Sequence, residues 1–300
     1  MKRFLLLIVS NFAIMLLLMV MYHVICAFLG IDPAAVYSRT GLDMYALAVY
    51  ALVWGMIGSV ISLLLSKTIA KFSVGARVID GSEGECERWL VDTVTSLAQR
   101  ADLKTPEVAI YHGEANAFAT GAFKNSALVA VSDRIMEQMT REELRAVLGH
   151  EMSHVANGDM VTMCLLQGVL NACVIFLSRI VAYIAAGMLS DRKSRSGGMS
   201  SVIYHVVYFV MQITLGIAAS LVAMWFSRRR EFAADAGSAN LLGTPSPMIA
   251  ALRRLGNLQP GVLPDSLAAL GIGGKSASLF ATHPSLEDRI AALENLQRGI

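Results

Sequence analysis

Leu148-Gly149-His150-Glu151-Met152-Ser153-His154 carries an H-E-x-x-H pattern near the middle of a 300-residue chain. The residues ahead of it predict a helix. Thr140 followed three positions later by Glu143 is a capping-box start, and Leu144, Val147 and Leu148 recur at helical spacing. Residues four apart share one helix face, so His150 and His154 can present two imidazoles to one metal ion. Glu151 projects beside them, placed to take a proton from a water that the metal activates. Two nitrogen ligands leave room for a third ligand and an open position, which is the arrangement of a catalytic zinc. The bland alternative is a helix whose polar residues pair with neighbours, so the rest of the chain has to supply further ligands.

Composition places this helix in an unusual context. Hydrophobic residues make up 55% of the chain and charged ones only 16%, values that point to a membrane protein. A net charge of +2 is too balanced for a nucleic-acid partner. Cys26, Cys164 and Cys173 fall in apolar segments and Cys86 in a polar one, with no C-x-x-C pair, so neither a disulfide framework nor a cysteine zinc site is indicated.

Four apolar runs are long enough to span a bilayer: Phe4 to Ile31, Met44 to Ser66, Val161 to Ser190 and Val202 to Phe226. The first follows Lys2 and Arg3 and has no small-x-small cleavage site behind it, so it reads as a retained helix. Asn11 and His23 inside it are expected to hydrogen-bond between helices, and His205 to hydrogen-bond within the fourth run. Basic residues flank the outer ends of the first hairpin, which places the N-terminus and the chain after Ser66 in the cytoplasm. Arg179 interrupts the third run and is expected to face protein or water, or to snorkel. The basic, Gly/Ser-rich linker from Asp191 to Ser201 conflicts with the outer side that counting spans assigns to it, so full crossing by the second hairpin stays open. Arg228-Arg229-Arg230 is again a cytoplasmic signal.

The expected architecture is a mostly α membrane protein with four hydrophobic helices and a cytoplasmic α+β part. Residues 1–66 form a transmembrane hairpin, 67–160 a cytoplasmic region with the H-E-x-x-H helix, 161–227 a second hydrophobic hairpin, and 228–300 a second cytoplasmic region. In the first cytoplasmic region Cys86, Leu90, Val94 and Leu97 mark one face of an amphipathic helix. Glu107 to Tyr111 and Leu128 to Val131 read as strands, and Ser132 begins a helix. Asn116, Ala117, Phe118 and Ala119 open a small-residue stretch with two readings. One is plain sheet packing; the other is an edge strand to which a substrate backbone adds. Asn157-Gly158-Asp159 ends the motif helix with turn chemistry.

The second cytoplasmic region supplies the missing donors. Glu231 and Asp235 lie one helical turn apart. Glu231 can be the third metal ligand, and Asp235 can accept the remaining N–H of a ligating histidine. The alternative is a helix start with acidic residues at its positive end. A Pro/Gly-rich loop runs through Gly274, and Ser285 with Asp288 opens a last amphipathic helix. His283 just ahead of it is either turn chemistry or a donor to a developing oxyanion.

At this point the chain resembles the HtpX family, bacterial heat-shock membrane proteases related to the CAAX prenyl proteases. The resemblance rests on N-A-F-A-T-G at Asn116 to Gly121, L-V-A-V-S at Leu128 to Ser132 and H-E-M-S-H-V-A-N-G-D-M at His150 to Met160. W-F-S-R-R-R-E-F-A-A-D at Trp225 to Asp235 and T-H-P at Thr282 to Pro284 complete it. It implies a multi-pass zinc endopeptidase of the bacterial cytoplasmic (inner) membrane, with a zincin-like domain and its active site toward the cytoplasm. It also implies a role in quality control, with unfolded or misassembled membrane proteins as substrates. On that resemblance His150, His154 and Glu231 bind one Zn2+, Glu151 is the general base, and Asp235 and His283 assist. An intramembrane protease is the less suitable reading, because Arg141, Glu142, Glu143 and Arg145 put the motif helix near the surface. A scaffold with a structural zinc would be expected to show four protein ligands.

Overall fold

A computed structural model describes residues 43–189, 197–257 and 283–298, with residues 16, 18–20, 22–24, 26–28 and 30 ahead of them. Much of the first apolar run lies outside the described residues, as do Asn11, residues 191–196 of the linker, residues 258–274 of the loop and Thr282. In chain order the elements are α1 (Met44–Val74), β1 (Arg77–Ile79), α2 (Glu85–Arg100), β2 (Glu107–Tyr111), β3 (Ala117–Thr120) and β4 (Leu128–Ser132). Then come α3 (Asp133–Gln138), α4 (Arg141–Asn157), α5 (Asp159–Leu189), α6 (Gly197–Leu242), α7 (Ser246–Asn257) and α8 (Leu286–Arg298). The protein is mostly helical with a small mixed sheet. Among the described residues, three helices are long and apolar enough to cross a membrane, namely α1, α5 and α6.

Two of these helices run past their apolar cores. The last residues of the predicted linker are already helical, so α6 begins at Gly197 and runs unbroken to Leu242. The alanine-rich sequence after Arg230 favours helix, and nothing stops it until Gly243, whose φ of 79° is left-handed. Glu231 therefore sits in the body of a helix, and the reading of a helix start at this position is set aside.

The chain divides into two compact units. One holds residues to Ile61 and Cys164–Val222; the other holds Ser62–Met163 and the chain from Ala223 onward. The first is packed around Leu47, Ala48 and Ala51 of α1 with Ala172, Phe176 and Ile180 of α5. Arg179 faces protein there. Its guanidinium lies 4.4 Å from the Tyr50 ring and donates to the Tyr50 hydroxyl at 3.1 Å. Among the described residues, His23 Nδ1 bonds the Met19 carbonyl one turn back, at 2.8 Å. His205 bonds Ser201 O within its own helix in the same way.

The second unit holds the sheet, in strand order β1-β2-β4-β3. β2 and β4 are parallel, and the two outer strands run antiparallel to them. Alternation along β2 decides its faces: Val108 joins a core with Leu90, Val94 and Leu97 of α2 and Val147 and Leu148 of α4, whereas Ala109 and Tyr111 pack with Phe118 and Ala70. Cys86, expected on the buried face of α2, is exposed. β1 went unread because three residues with only Ile79 buried carry no alternation.

The predicted start of α4 is present. Thr140 Oγ1 accepts from Glu143 N while the Glu143 carboxylate accepts from Thr140 N, and Gly158 closes the helix at φ 73°. α4 meets α6 along a seam of small residues. Ser238 Oγ donates to Ala146 O at 2.8 Å. A Cβ on Gly237 would stand 2.6 Å from Ser153 Oγ and 2.8 Å from Ser153 Cβ. This close approach carries Glu231 and Asp235 up to the histidines.

Gly237→Ala is expected to lower stability by about 1–3 kcal/mol through overpacking, despite the ~1 kcal/mol by which alanine favours a helix. Thermal unfolding of the detergent-solubilised protein measures it, and adding Ser153→Gly should recover most of the loss. Unfolding of Gly237→Ala at or above the wild-type temperature would show that the seam is not tight.

Candidate active site

His150 and His154 lie one turn apart on α4, with His150 only 1% exposed. His150 Nδ1 donates to Asp235 Oδ1 at 2.9 Å, and His154 Nδ1 donates to Asp159 Oδ2 at 2.7 Å. Since an ionised carboxylate only accepts, the proton of each neutral ring sits on Nδ1 and each Nε2 keeps its lone pair. Those two Nε2 atoms stand 3.1 Å apart. The Glu231 carboxylate approaches them at 3.5 Å from His150 Nε2 and 3.3 Å from His154 Nε2. Around a tetrahedral zinc with ligands at ~2.0–2.1 Å, neighbouring donor atoms are about 3.3 Å apart. Two facing lone pairs and a carboxylate at that spacing fit a zinc ion between them.

The surroundings hold these donors in place. Arg289 of α8 is fully buried and grips Asp235 with two bonds, Nε to Oδ2 at 2.8 Å and Nη2 to Oδ1 at 2.7 Å. Its Nη1 lies 3.4 Å from Glu231 Oε2. His283 is buried, with Nδ1 2.9 Å from Glu231 Oε2 and with Nε2 free of any hydrogen-bond partner among the described residues. Asp159, the first residue of α5, is also paired with Arg230 of α6.

Glu151 is 2% exposed and accepts a bond from the Ala119 backbone N–H. Ala119 belongs to β3, an outer strand of the sheet among the described residues, so the carboxylate stands beside that strand. Asn116 leads into the strand. Its Oδ1 accepts from Ala117 N at 2.8 Å and its own N–H donates to Ser132 Oγ at 3.0 Å. Ala117, Phe118 and Ala119 are buried.

Burial and neighbours split the titrations of these groups. Burial pushes the Glu151 carboxyl up, and the histidines and the Ala119 N–H offset this only in part. Burial acts on Glu231 in the same direction, but His283 beside it and bonds from His150 and His154 hold it well below the ordinary carboxylate range. Asp235 is lowered because Arg289, then His150, outweigh its burial. Burial works against both imidazolium ions, yet Asp235 and Glu231 lift His150, and Glu231 lifts His154, above the ordinary value.

The candidate site residues thus fall in one unit, with His150, His154, Glu231, Asp235 and His283 close together and Glu151 against the strand at 116–119. Asp159, Arg230 and Arg289 were not singled out. Asp159 read as turn chemistry, Arg230 as a topology signal and Arg289 as one charge on an amphipathic helix. A charge set directly against an apolar run was the available signal for the first two.

Residues 85–297 match the sequence profile of peptidase family M48. A "Protease HtpX homolog" of Janthinobacterium sp. (strain Marseille) is 53% identical over 299 residues, covering 99% of this chain and 100% of that protein. Another, from Herminiimonas arsenicoxydans, is 50% identical over 299 residues with the same coverage. The crystal structure of S. mikatae Ste24p shares the fold with a TM-score of 0.59 at 18% identity, over 87% of this chain and 61% of that longer one.

Arg289→Met should cost about 3–5 kcal/mol at neutral pH, because Asp235 is left buried without its cation. The depressed Asp235 carboxyl contributes its stability in full above the ordinary value of ~4 and loses it as pH falls through the folded value. The gap between wild type and variant should therefore narrow below pH ~4. Thermal unfolding across pH checks this; a gap constant down to the acid end would exclude the pairing as its source.

Proposed function

The chain belongs to peptidase family M48 as an HtpX-type membrane metalloprotease, and from that premise we propose that it is a zinc-dependent endopeptidase of the bacterial inner membrane. It acts at the cytoplasmic face on damaged or misassembled membrane proteins, the substrate class that the HtpX resemblance implies. The observation that carries the chemistry is the convergence of His150 Nε2, His154 Nε2 and the Glu231 carboxylate. These three residues would hold the zinc, with Asp235 orienting His150. Bound there, zinc supplies Lewis-acid polarisation of the scissile carbonyl and makes the attacking water more acidic.

The chain's own residues do the rest. Glu151 takes the proton of the attacking water and returns it to the leaving amine. A carboxyl raised by burial is suited to both steps near neutral pH. An extended peptide would lie along the outer side of β3, near Asn116 to Ala119. The bond from Ala119 to Glu151 puts that peptide beside the base. His283 gives its Nδ1 proton to Glu231, so as an imidazolium it would donate from Nε2 to the developing oxyanion. Residues 1–66 and 161–227 are assigned to the bilayer, and 67–160 with 228–300 to the cytoplasmic catalytic part. Lys67, Lys71 and Arg228–Arg230 at the ends of the apolar runs support that orientation.

The test uses metal-stripped protein and its Glu151→Gln variant in detergent, with zinc added back and cleavage of an unfolded polypeptide followed. Wild type should regain cutting with one zinc per chain. Glu151→Gln should bind zinc equally and cut ~10²–10⁴-fold more slowly. Equal cutting by both would remove Glu151 from the chemistry. Stoichiometric zinc without cutting by either would favour a membrane scaffold with a structural metal.

A further inference from the structure

Behind each histidine stands a carboxylate, and behind each carboxylate an arginine. For His150 the pair is Asp235 and Arg289; for His154 it is Asp159 and Arg230. We propose that Asp159 and Arg230 act as one positioning pair that aims His154 Nε2 at the metal, a proposal that rests on the zinc-ligand reading above.

The geometry is specific. Asp159 is 2% exposed and comes five residues after His154. It reaches the ring because Gly158 turns the chain back with a φ of 73° between α4 and α5. One carboxylate oxygen accepts from His154 Nδ1 and the other from Arg230 Nη2. A single neutral N–H would leave the Asp159 charge buried and uncompensated; Arg230 removes that penalty and fixes the carboxylate plane. Arg230 is also the residue before Glu231 on α6. A continuous path thus runs from His154 through Asp159 and Arg230 to Glu231, tying the second ligand to the third without passing through the metal.

The pair also joins the two ends of the second apolar hairpin. Asp159 stands two positions ahead of the run that begins at Val161, and Arg230 four positions past the run that ends at Phe226. Its loss should therefore show in the metal site and not only in the stability of the fold.

Adjacent arginines make the test sharp. Arg229 is exposed and stacks on Trp225 at 4.5 Å, so Arg229→Gln removes the same charge as Arg230→Gln without touching Asp159. Each change is placed in the full chain in detergent, on a Glu151→Gln background that suppresses self-cleavage. Zinc affinity is then read by competition with a chromophoric chelator. Arg230→Gln and Asp159→Asn should each weaken zinc binding about 10–100-fold, as expected for groups behind a ligand. Arg230→Lys should keep most of the affinity and Arg229→Gln all of it. The Asp159→Asn/Arg230→Gln double variant should bind no more weakly than the worse single one, because the two act as a unit. Arg230→Gln binding zinc as Arg229→Gln does would overturn the proposal, as would losses that multiply in the double variant. If Asp159→Asn fails to fold, the arginine series decides alone. A wild type that binds no zinc would overturn the ligand reading itself, and with it the pair.

Discussion

Keeping Glu231 ionised where water does not reach is the constraint on which the site depends. A lone carboxylate in such a place would take up a proton. At Glu231 this is prevented by Arg289 within α8 and His283 ahead of α8, and by His150 and His154 from α4 when their Nε2 atoms carry protons. These groups come from separate elements, so the balance exists only once α4, α6 and α8 have packed. The packing in turn needs the small seam at Gly149, Ser153, Gly237 and Ser238, because a bulkier residue there would hold Glu231 away from the rings. Helix contact and charge compensation are two aspects of one requirement.

The same requirement separates two carboxylates that are chemically alike. Glu151 and Glu231 are equally hidden, yet one is raised and the other is held low. Glu231 is surrounded by nitrogen donors. Glu151 has the Ala119 N–H and the more distant histidine charges, with the negative charge of Glu231 acting against it. A ligand has to stay deprotonated, whereas a base has to gain and lose a proton easily. Environment, not residue type, would assign the two proposed roles.

Local signals in the sequence reached far into the fold. The capping box at Thr140, the glycine stop at Gly158, the alternation in β2 and the last three apolar runs are local signals, and each corresponds to an element. The H-E-x-x-H spacing and the one-turn spacing of Glu231 and Asp235 are also local, so five site positions were legible. Arg289 was not. Its partners Asp235 and Glu231 lie more than fifty residues earlier, and an arginine among Glu287, Asp288 and Glu294 reads as part of a solvated face. Asp159 and Arg230 carried ordinary local meanings that concealed their pairing across the hairpin. The continuity of α6 was missed for a related reason: hydropathy marks where an apolar run ends, and helices need not end there.

The charges around the site explain why these hidden residues matter together. Glu151, Glu231, Asp235 and Asp159 bring four negative charges, and Arg289 and Arg230 return two positive ones. A divalent ion between neutral imidazoles would bring the sum to zero. Two protons on the imidazoles would do the same, which is why the acidic neighbours lift His150 and His154. Metal and protons would therefore compete for one place. The arginines set the terms of that competition. With both present and Glu151 ionised, the deficit is two charges, matched to a divalent ion.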